Sequence, residues 1–375
     1  MQFIPSLLNR LVLPVFLLVL LVPATLGILR PTEDVLEDEN RRAAAFPGLP
    51  GDIAEMRKIP GQIEDYTADR FGLRAQMIWL WEALKRQING KSSDRVLAGS
   101  DGWLFLTDLN VVDRSAGRFI SEEGVAEVLA TMMDIQDRSA KIGASPVFLA
   151  APNKHAIHRD ALPDFARGAP EQTTELDRLI DNAAAAGIDV LDPRPVLRAE
   201  AAADRPVFRL GDTHWNSYGA AFAFDQVVTA WEQPTWRFDP GARLTGYETV
   251  VIDGDLVRFA NLSGQFADQM PQLDLAGWPA VEEVTREAFD LDYDQPSYVV
   301  DYGRAGPTIL VIGDSFTRDI FPPYLGAVAG RLIWIHHRNG NFDRNIFERE
   351  LIDYVLFEFL QRQIPVWQDG SGAAE

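Results

Sequence analysis

Apolar residues form three patterns along the chain. Residues 11–29, LVLPVFLLVLLVPATLGIL, pass without a charge. As a helix they would span roughly 28 Å, about one hydrocarbon core. Between 52 and 90, Ile63, Tyr66 and Phe71, then Met77, Leu80, Trp81 and Leu84, fall near helical spacing. Beyond Val96 short apolar runs take over. Val96-Leu97-Ala98 and Trp103-Leu104-Phe105-Leu106 flank Gly99-Ser100-Asp101-Gly102, which predicts strand, Asp-Gly turn, strand. Helical periodicity at 122–142 leads into the run 146–151, and a second helix at 170–186 leads through Gly187 into 188–191. A third helix is expected at 217–231, with Asn216 or Ser217 as its N-cap. Residues 235–300 carry strand signals near 249–252, many Asp and Pro, and little periodicity. Buried-strand runs return at 308–312, 332–336 and 354–359, with helices between them, one at 343–353. Such alternation predicts an α/β fold whose mostly parallel sheet is covered on both faces.

Three readings fit residues 11–29. A signal anchor leaves the following chain across the membrane, and this reading is adopted. A cleaved signal peptide would end near Val22-Pro23-Ala24. A buried core helix would have to accommodate Pro14 and Pro23. Positive charges lie on both sides, with Arg10 before the segment and Arg30, Arg41 and Arg42 after it. Long following domains translocate largely regardless of such charges. The acidic run Glu33, Asp34, Glu37, Asp38 and Glu39 is a poor neighbour for an anionic cytoplasmic leaflet.

Charge narrows the partners. Lys and Arg number 35 against 55 Asp and Glu, a formal charge of −20. Such a surface repels polyphosphate, so no nucleic-acid partner is expected. The absence of cysteine excludes thiolate chemistry, disulfides and cysteine-ligated metal sites, but fits either redox compartment.

Two segments carry candidate chemistry. In the first, the run Ile309-Leu310-Val311-Ile312 leads straight into Gly313-Asp314-Ser315-Phe316. The C-terminal edge of a parallel sheet is where open α/β folds keep their sites. Ser315 is therefore a candidate nucleophile, with backbone N–H groups nearby for an oxyanion; the plain alternative is a residue capping the next helix. The second is Asp212-Thr213-His214-Trp215-Asn216. In an extended stretch residues i and i+2 point the same way, so Asp212 can orient His214 as a general base. The plain alternative is a structural histidine in a turn. Asp and His alone supply too few ligands for a metal site. His155 and His158 follow a strand and read as surface-loop residues, the alternative being that they line the same cleft; His336 and His337 end a strand and read as structural. No GxSxG elbow, Walker loop, dinucleotide fingerprint or HExxH is present.

The segments Gly313-Asp314-Ser315-Phe316, Asp212-Thr213-His214-Trp215-Asn216, Gly99-Ser100-Asp101-Gly102-Trp103-Leu104-Phe105, Pro152-Asn153-Lys154 and Ala68-Asp69-Arg70-Phe71-Gly72-Leu73-Arg74 together resemble the AlgJ/AlgX group of alginate O-acetyltransferases, built on an SGNH (GDSL-like) hydrolase domain. Asp-x-His preceding the serine matches the permuted order of that group. The resemblance implies Ser315 as nucleophile, His214 as base and Asp212 as orienter; no cofactor is expected, since nothing in the sequence would bind coenzyme A. AlgX-type members carry a carbohydrate-binding module after the catalytic domain. Only about ten residues follow Pro365 here, so the arrangement looks closer to membrane-anchored AlgJ. The expected organisation is a tail (1–10), a transmembrane anchor (11–29), a linker (30–50), a helical preface (51–95), a catalytic domain (96–365) and a disordered tail (366–375). The expected function is acetyl transfer to an exopolysaccharide hydroxyl in the periplasm, from a single-pass inner-membrane protein. A membrane-bound O-acyltransferase partner would supply the acetyl group. A carbohydrate acetyl esterase and a non-catalytic export subunit are the alternatives. If the polymer is a uronate, cationic residues must gather at the cleft. Lys154, Arg318 and Arg338 are the candidates, with Asn153 as a further substrate contact.

Overall fold

The computed structural model describes residues 22, 25, 35, 36, 41–71, 73, 94–169, 171–264, 266–276, 278, 287–290 and 297–367. The expected membrane segment lies outside these residues except for Val22 and Thr25, as do most of 70–93 and the C-terminal tail. Among the described residues no helix is long and apolar enough to cross a membrane.

The chain divides into two compact units, residues 1–93 with 259–261, and residues 94–258 with 262–375. In the first, strands β1 (Val35–Leu36) and β2 (Arg41–Arg42) pair antiparallel. Helix α1 (Ile53–Asp69) starts where the Asp52 carboxylate accepts the Glu55 N–H at 2.7 Å. At its end Asp69 accepts the Ala44 N–H at 2.8 Å.

The second unit opens with the hairpin β3 (Val96–Ala98) and β4 (Leu104–Leu106). Its turn needs positive φ at Asp101 (52°) and Gly102 (83°), conformations that suit Asp and Gly. Helix α2 (Glu122–Ile142) has Ser121 as N-cap, two glutamates in its first turn, and Gly143 at φ 75° at its end. Each of these favours the ends where they stand. Strand β5 (Ser145–Ala151) follows, then α3 (Lys154–Ile157). Helix α4 (Glu175–Ala185) begins five residues later than periodicity suggests, because Thr174 and Asp177 form a reciprocal capping box. Strand β6 (Val190–Leu191), α5 (Arg194–Ala202) and α6 (Ser217–Ala230) come next. Asn216 is the α6 N-cap, accepting the Gly219 N–H at 3.0 Å.

The weakly patterned stretch contains β7 (Leu244–Val251), α7 (Asp255–Phe259) and β8 (Ala267–Leu273), with β7 and β8 antiparallel. Strands β9 (Glu287–Asp290), β10 (Ser297–Asp301) and β11 (Thr308–Gly313) lead to α8 (Ser315–Arg318) and α9 (Pro322–Val328). Strand β12 (Arg331–His336), the one-turn α10 (Ile346–Arg349) and β13 (Tyr354–Leu360) complete the unit. The helix expected at 343–353 shrinks to α10. Asp343 folds its carboxylate onto the Asn345 N–H, and the chain is already extended at Glu350.

The main sheet has the order β6-β5-β13-β11-β12-β10-β9. The five strands from β6 to β12 are parallel; β10 and β9 add an antiparallel edge. Alternate residues divide between its two faces. Ile309 and Val311 join a core with α6 and α9, whereas Leu310 and Ile312 join one with α2 and α4. Covering both faces is what makes these strands continuous apolar runs rather than alternating ones.

Candidate active site

Strand β11 ends at Gly313, paired in parallel register with His336. Asp314 then caps α8, its Oδ1 accepting the Phe316 N–H at 2.8 Å, and Ser315 is the first helical residue. The sheet edge thus presents Ser315 where the strand stops and the helix has just begun.

The second arm is a loop closed by a β-bridge between Phe208 and Trp215. Polar groups from three other segments hold it. The Lys154 ammonium donates to the Arg209 and Leu210 carbonyls at 2.8 and 2.9 Å. Asp268 accepts the Leu210 N–H at 3.1 Å. Asp255 accepts the Thr213 N–H at 2.8 Å and the Thr213 hydroxyl at 2.5 Å. Gly254 allows a close approach: a Cβ there would lie 2.8 Å from the Asp212 Cβ and collide with the Gly211 carbonyl. The two arms are tied by the Trp215 indole, which donates to the Phe316 carbonyl at 3.0 Å.

This scaffold brings Ser315, His214 and Asp212 together. The Ser315 hydroxyl lies 2.8 Å from His214 Nε2, and His214 Nδ1 lies 2.6 Å from Asp212 Oδ1. Asp212 Oδ1 also accepts the His214 backbone N–H at 2.9 Å, so the carboxylate fixes both ring and main chain. Nδ1–H therefore donates to Asp212, leaving Nε2 to accept the serine proton. Burial alone would lower the His214 pKa; the Asp212 carboxylate, with Asp255 beyond it, outweighs this and raises it. Burial likewise opposes ionisation of Asp212, but the imidazole and its hydrogen bonds hold that carboxyl well below the usual range.

Asp212, His214 and Asp255 also place three donor atoms within 4.8 Å, a set that could meet a cation. Those atoms already have work within the protein. Asp212 holds the imidazole and both Asp255 oxygens bind Thr213.

The other expected site residues separate. Lys154 is 3% exposed and its ammonium is spent on two loop carbonyls, so it faces the protein rather than a substrate. Burial brings its pKa down to about 7, against the pull of Asp212, Asp255 and Asp268. Because Lys154→Met would leave the Arg209 and Leu210 carbonyls without this donor, it should lower stability by about 2–3 kcal/mol in urea unfolding. It should also lower kcat rather than raise KM. Asn153 is buried beside it, donating from Nδ2 to Ser115 Oγ at 3.0 Å, while its Oδ1 has no protein partner. Arg318 sits in α8 close to Ser315 in sequence, but its guanidinium is engaged by Asp319 at 2.6 Å. Arg338 lines a separate recess of about 180 Å³ with Ser297, His336 and Asp343, which no triad residue lines. His155 and His158 are not in a surface loop. His155 Nε2 meets the Leu106 carbonyl at 2.9 Å, and His158 stacks on Trp103 at 3.9 Å. Burial drives both to a pKa of about 3, so both are neutral.

Sequence reasoning missed Asp255 and Asp268, which lie 41 and 54 residues beyond His214 in the weakly patterned stretch. It also missed Arg362, whose guanidinium lies 5.6 Å over the Phe316 ring among Asp314, Asp255, Asp212 and Glu358. A charged residue two positions after the last buried strand was the available signal.

A mixed α/β sheet carrying a Ser-His-Asp constellation at its edge is the form of an SGNH hydrolase-like domain. The family described as "SGNH hydrolase-like domain, acetyltransferase AlgX" matches residues 96–365, and the chain belongs to it. The resemblance read from the Gly-Asp-Ser and Asp-x-His segments is thereby borne out. No curated protein matches. Among solved structures the chain is similar to the O-acetyltransferase domain of Pseudomonas putida AlgJ. That match has 18% identity and TM-score 0.48, covering 75% of this chain and 95% of that one. It is also similar to a DHHW family protein from Eubacterium siraeum, at 15% identity and TM-score 0.46, covering 74% and 94%. Pseudomonas aeruginosa AlgX matches at 19% identity and TM-score 0.43, covering 74% and 67%.

Proposed function

We propose that the chain moves an acetyl group, through an acyl-enzyme on Ser315, to a hydroxyl of an exopolysaccharide outside the inner membrane. The observation that carries this is the relay itself, with Ser315 Oγ 2.8 Å from His214 Nε2 and Asp212 2.6 Å behind the ring. His214 takes the serine proton as Oγ attacks the acetyl carbonyl. It returns that proton to the donor's leaving oxygen as the C–O bond breaks. A sugar hydroxyl then gives its proton to His214 as it attacks the acetyl-serine carbonyl, and His214 returns that proton to Ser315 Oγ as the ester bond to serine breaks. Residues 11–29 would anchor the chain, placing the relay in the periplasm, where a membrane-bound O-acyltransferase would supply acetyl groups. The family supports an acetyltransferase reading; the polymer, donor and location belong to this proposal.

The test supplies an acetyl ester with and without an acceptor oligosaccharide and follows acetate and acetylated sugar separately. Transfer that rises with acceptor supports the proposal; acetate release indifferent to acceptor replaces it with an esterase. The raised His214 pKa gives a further expectation. Only the neutral imidazole can accept the serine proton, so kcat/KM should rise with pH through an apparent pKa above the ordinary imidazole value. A profile flat through that range would remove His214 from the role of base.

A further inference from the structure

Strand β13 lies between β5 and β11, inside the sheet, and its sequence is Tyr354-Val355-Leu356-Phe357-Glu358-Phe359-Leu360. Six of these residues suit that place. Glu358 does not: it is 0% exposed, and an ionised carboxylate in such surroundings is costly unless paired. What it touches is the turn that carries the nucleophile. Its Oε2 accepts the Asp314 N–H at 3.0 Å, with the Thr317 hydroxyl at 3.5 Å. A Cβ on Gly313 would lie 3.0 Å from the same oxygen.

Beside it is a second buried carboxyl. Asp314 is 2% exposed; its Oδ1 accepts the Phe316 N–H, and its Oδ2 faces His337 Nε2 at 3.8 Å. His337 is 0% exposed, and its Nδ1 accepts the Asn339 N–H at 2.9 Å, so Nε2 carries the hydrogen toward Asp314. Glu358 Oε1 and Asp314 Oδ2 are both buried without a hydrogen-bond partner. Two adjacent buried carboxyls cannot both ionise cheaply, so one keeps a proton. Asp314 has the imidazole, the Phe316 N–H and nearby Arg362 to favour its anion. The proton therefore belongs to Glu358.

We propose that Glu358 is a positioning residue that acts as a neutral carboxylic acid, accepting the Asp314 N–H and turning its own proton toward the Asp314 carboxylate, so that the Gly313-Asp314-Ser315 turn presents the Ser315 hydroxyl to His214. Burial first, then the Asp314 charge, raises the Glu358 pKa well above its ordinary value, in keeping with this geometry. The groups facing it are Asp314 and Thr317 on the nucleophile turn and the Arg362 charge after β13, with His337 reaching it through Asp314. Ionisation of Glu358 at alkaline pH would set two anions behind Ser315 and distort the turn. The kinetic arm rests on the acyl-transfer reading; the protonation state does not.

The test compares wild type with Glu358→Gln and Glu358→Ala. Gln keeps one acceptor and one donor and cannot ionise. Hydrolysis of p-nitrophenyl acetate should show an alkaline fall in kcat for wild type that is absent in Glu358→Gln. The Gln variant should stay within about threefold of wild type near neutrality, whereas Glu358→Ala should lose about 10²-fold in kcat with KM little changed, the scale of a misplaced reacting group. An alkaline limb unchanged in Glu358→Gln would overturn the proposal, as would a folded Gln variant as impaired as Ala. If the variants do not fold, infrared spectroscopy of wild type with 13C-labelled glutamate reads the proton directly. A protonated carboxyl band at neutral pH supports the assignment, and its absence overturns it. That measurement needs no turnover, so it separates failure of this inference from failure of the proposed function.

Discussion

Ser315→Ala is expected to lower acetyl-ester turnover by about 10⁴-fold or more, the scale seen when a triad nucleophile is removed. The fold should be left alone. Ser315 begins the short helix α8, and its hydroxyl is engaged by His214 Nε2 at 2.8 Å; the turn itself is held by Asp314 and Glu358. Thermal unfolding of the variant should therefore track wild type within a few degrees. A sulfonyl fluoride should add a single covalent increment to wild type by intact-mass measurement and none to Ser315→Ala. If the folded variant kept turnover, or were labelled equally, the acyl-enzyme would not form on this residue.

Asp212→Asn should cost almost as much, about 10⁴-fold in kcat, by a different route. The carboxylate accepts the Nδ1 hydrogen at 2.6 Å and the His214 main-chain N–H at 2.9 Å. An amide can donate to Nδ1 instead, which stabilises the tautomer with hydrogen on Nε2, where Ser315 needs an acceptor. It also removes the charge that raises the His214 pKa, so the remaining activity should have its acid limb at lower pH. Rate and midpoint should fall together. A variant that lost rate with an unmoved acid limb would show that Asp212 acts on the loop rather than on the ring.

The chain's charge of −20 raised the question of how an acidic protein would meet an acidic polymer. Lys154 does not answer it, because its ammonium is folded inward onto the Arg209 and Leu210 carbonyls. Arg318 is engaged by Asp319, and Arg338 lines a separate recess. The Arg362 guanidinium lies beside the nucleophile turn, 5.6 Å over the Phe316 ring.

The sequence by itself determined what local chemistry controls. Apolar runs marked β5, β11, β12 and, broken only by Glu358, β13, because strands covered on both faces have no polar side to show. Ser121, Asn216 and Gly143 ended helices through hydrogen bonds and a backbone conformation set within a few residues. Asp212 and His214 could be paired because i and i+2 share a side of an extended segment. Tertiary structure alone decided that His214 meets a serine 101 residues away, since that contact depends on how β11 and the Phe208–Trp215 loop pack. It also turned Lys154, Asp255 and Asp268 into supports for that loop, and set Glu358 beneath the nucleophile. A buried charge carries no periodic signal along the chain. Its role follows from which partners the fold brings to it, and those lie tens to hundreds of residues distant.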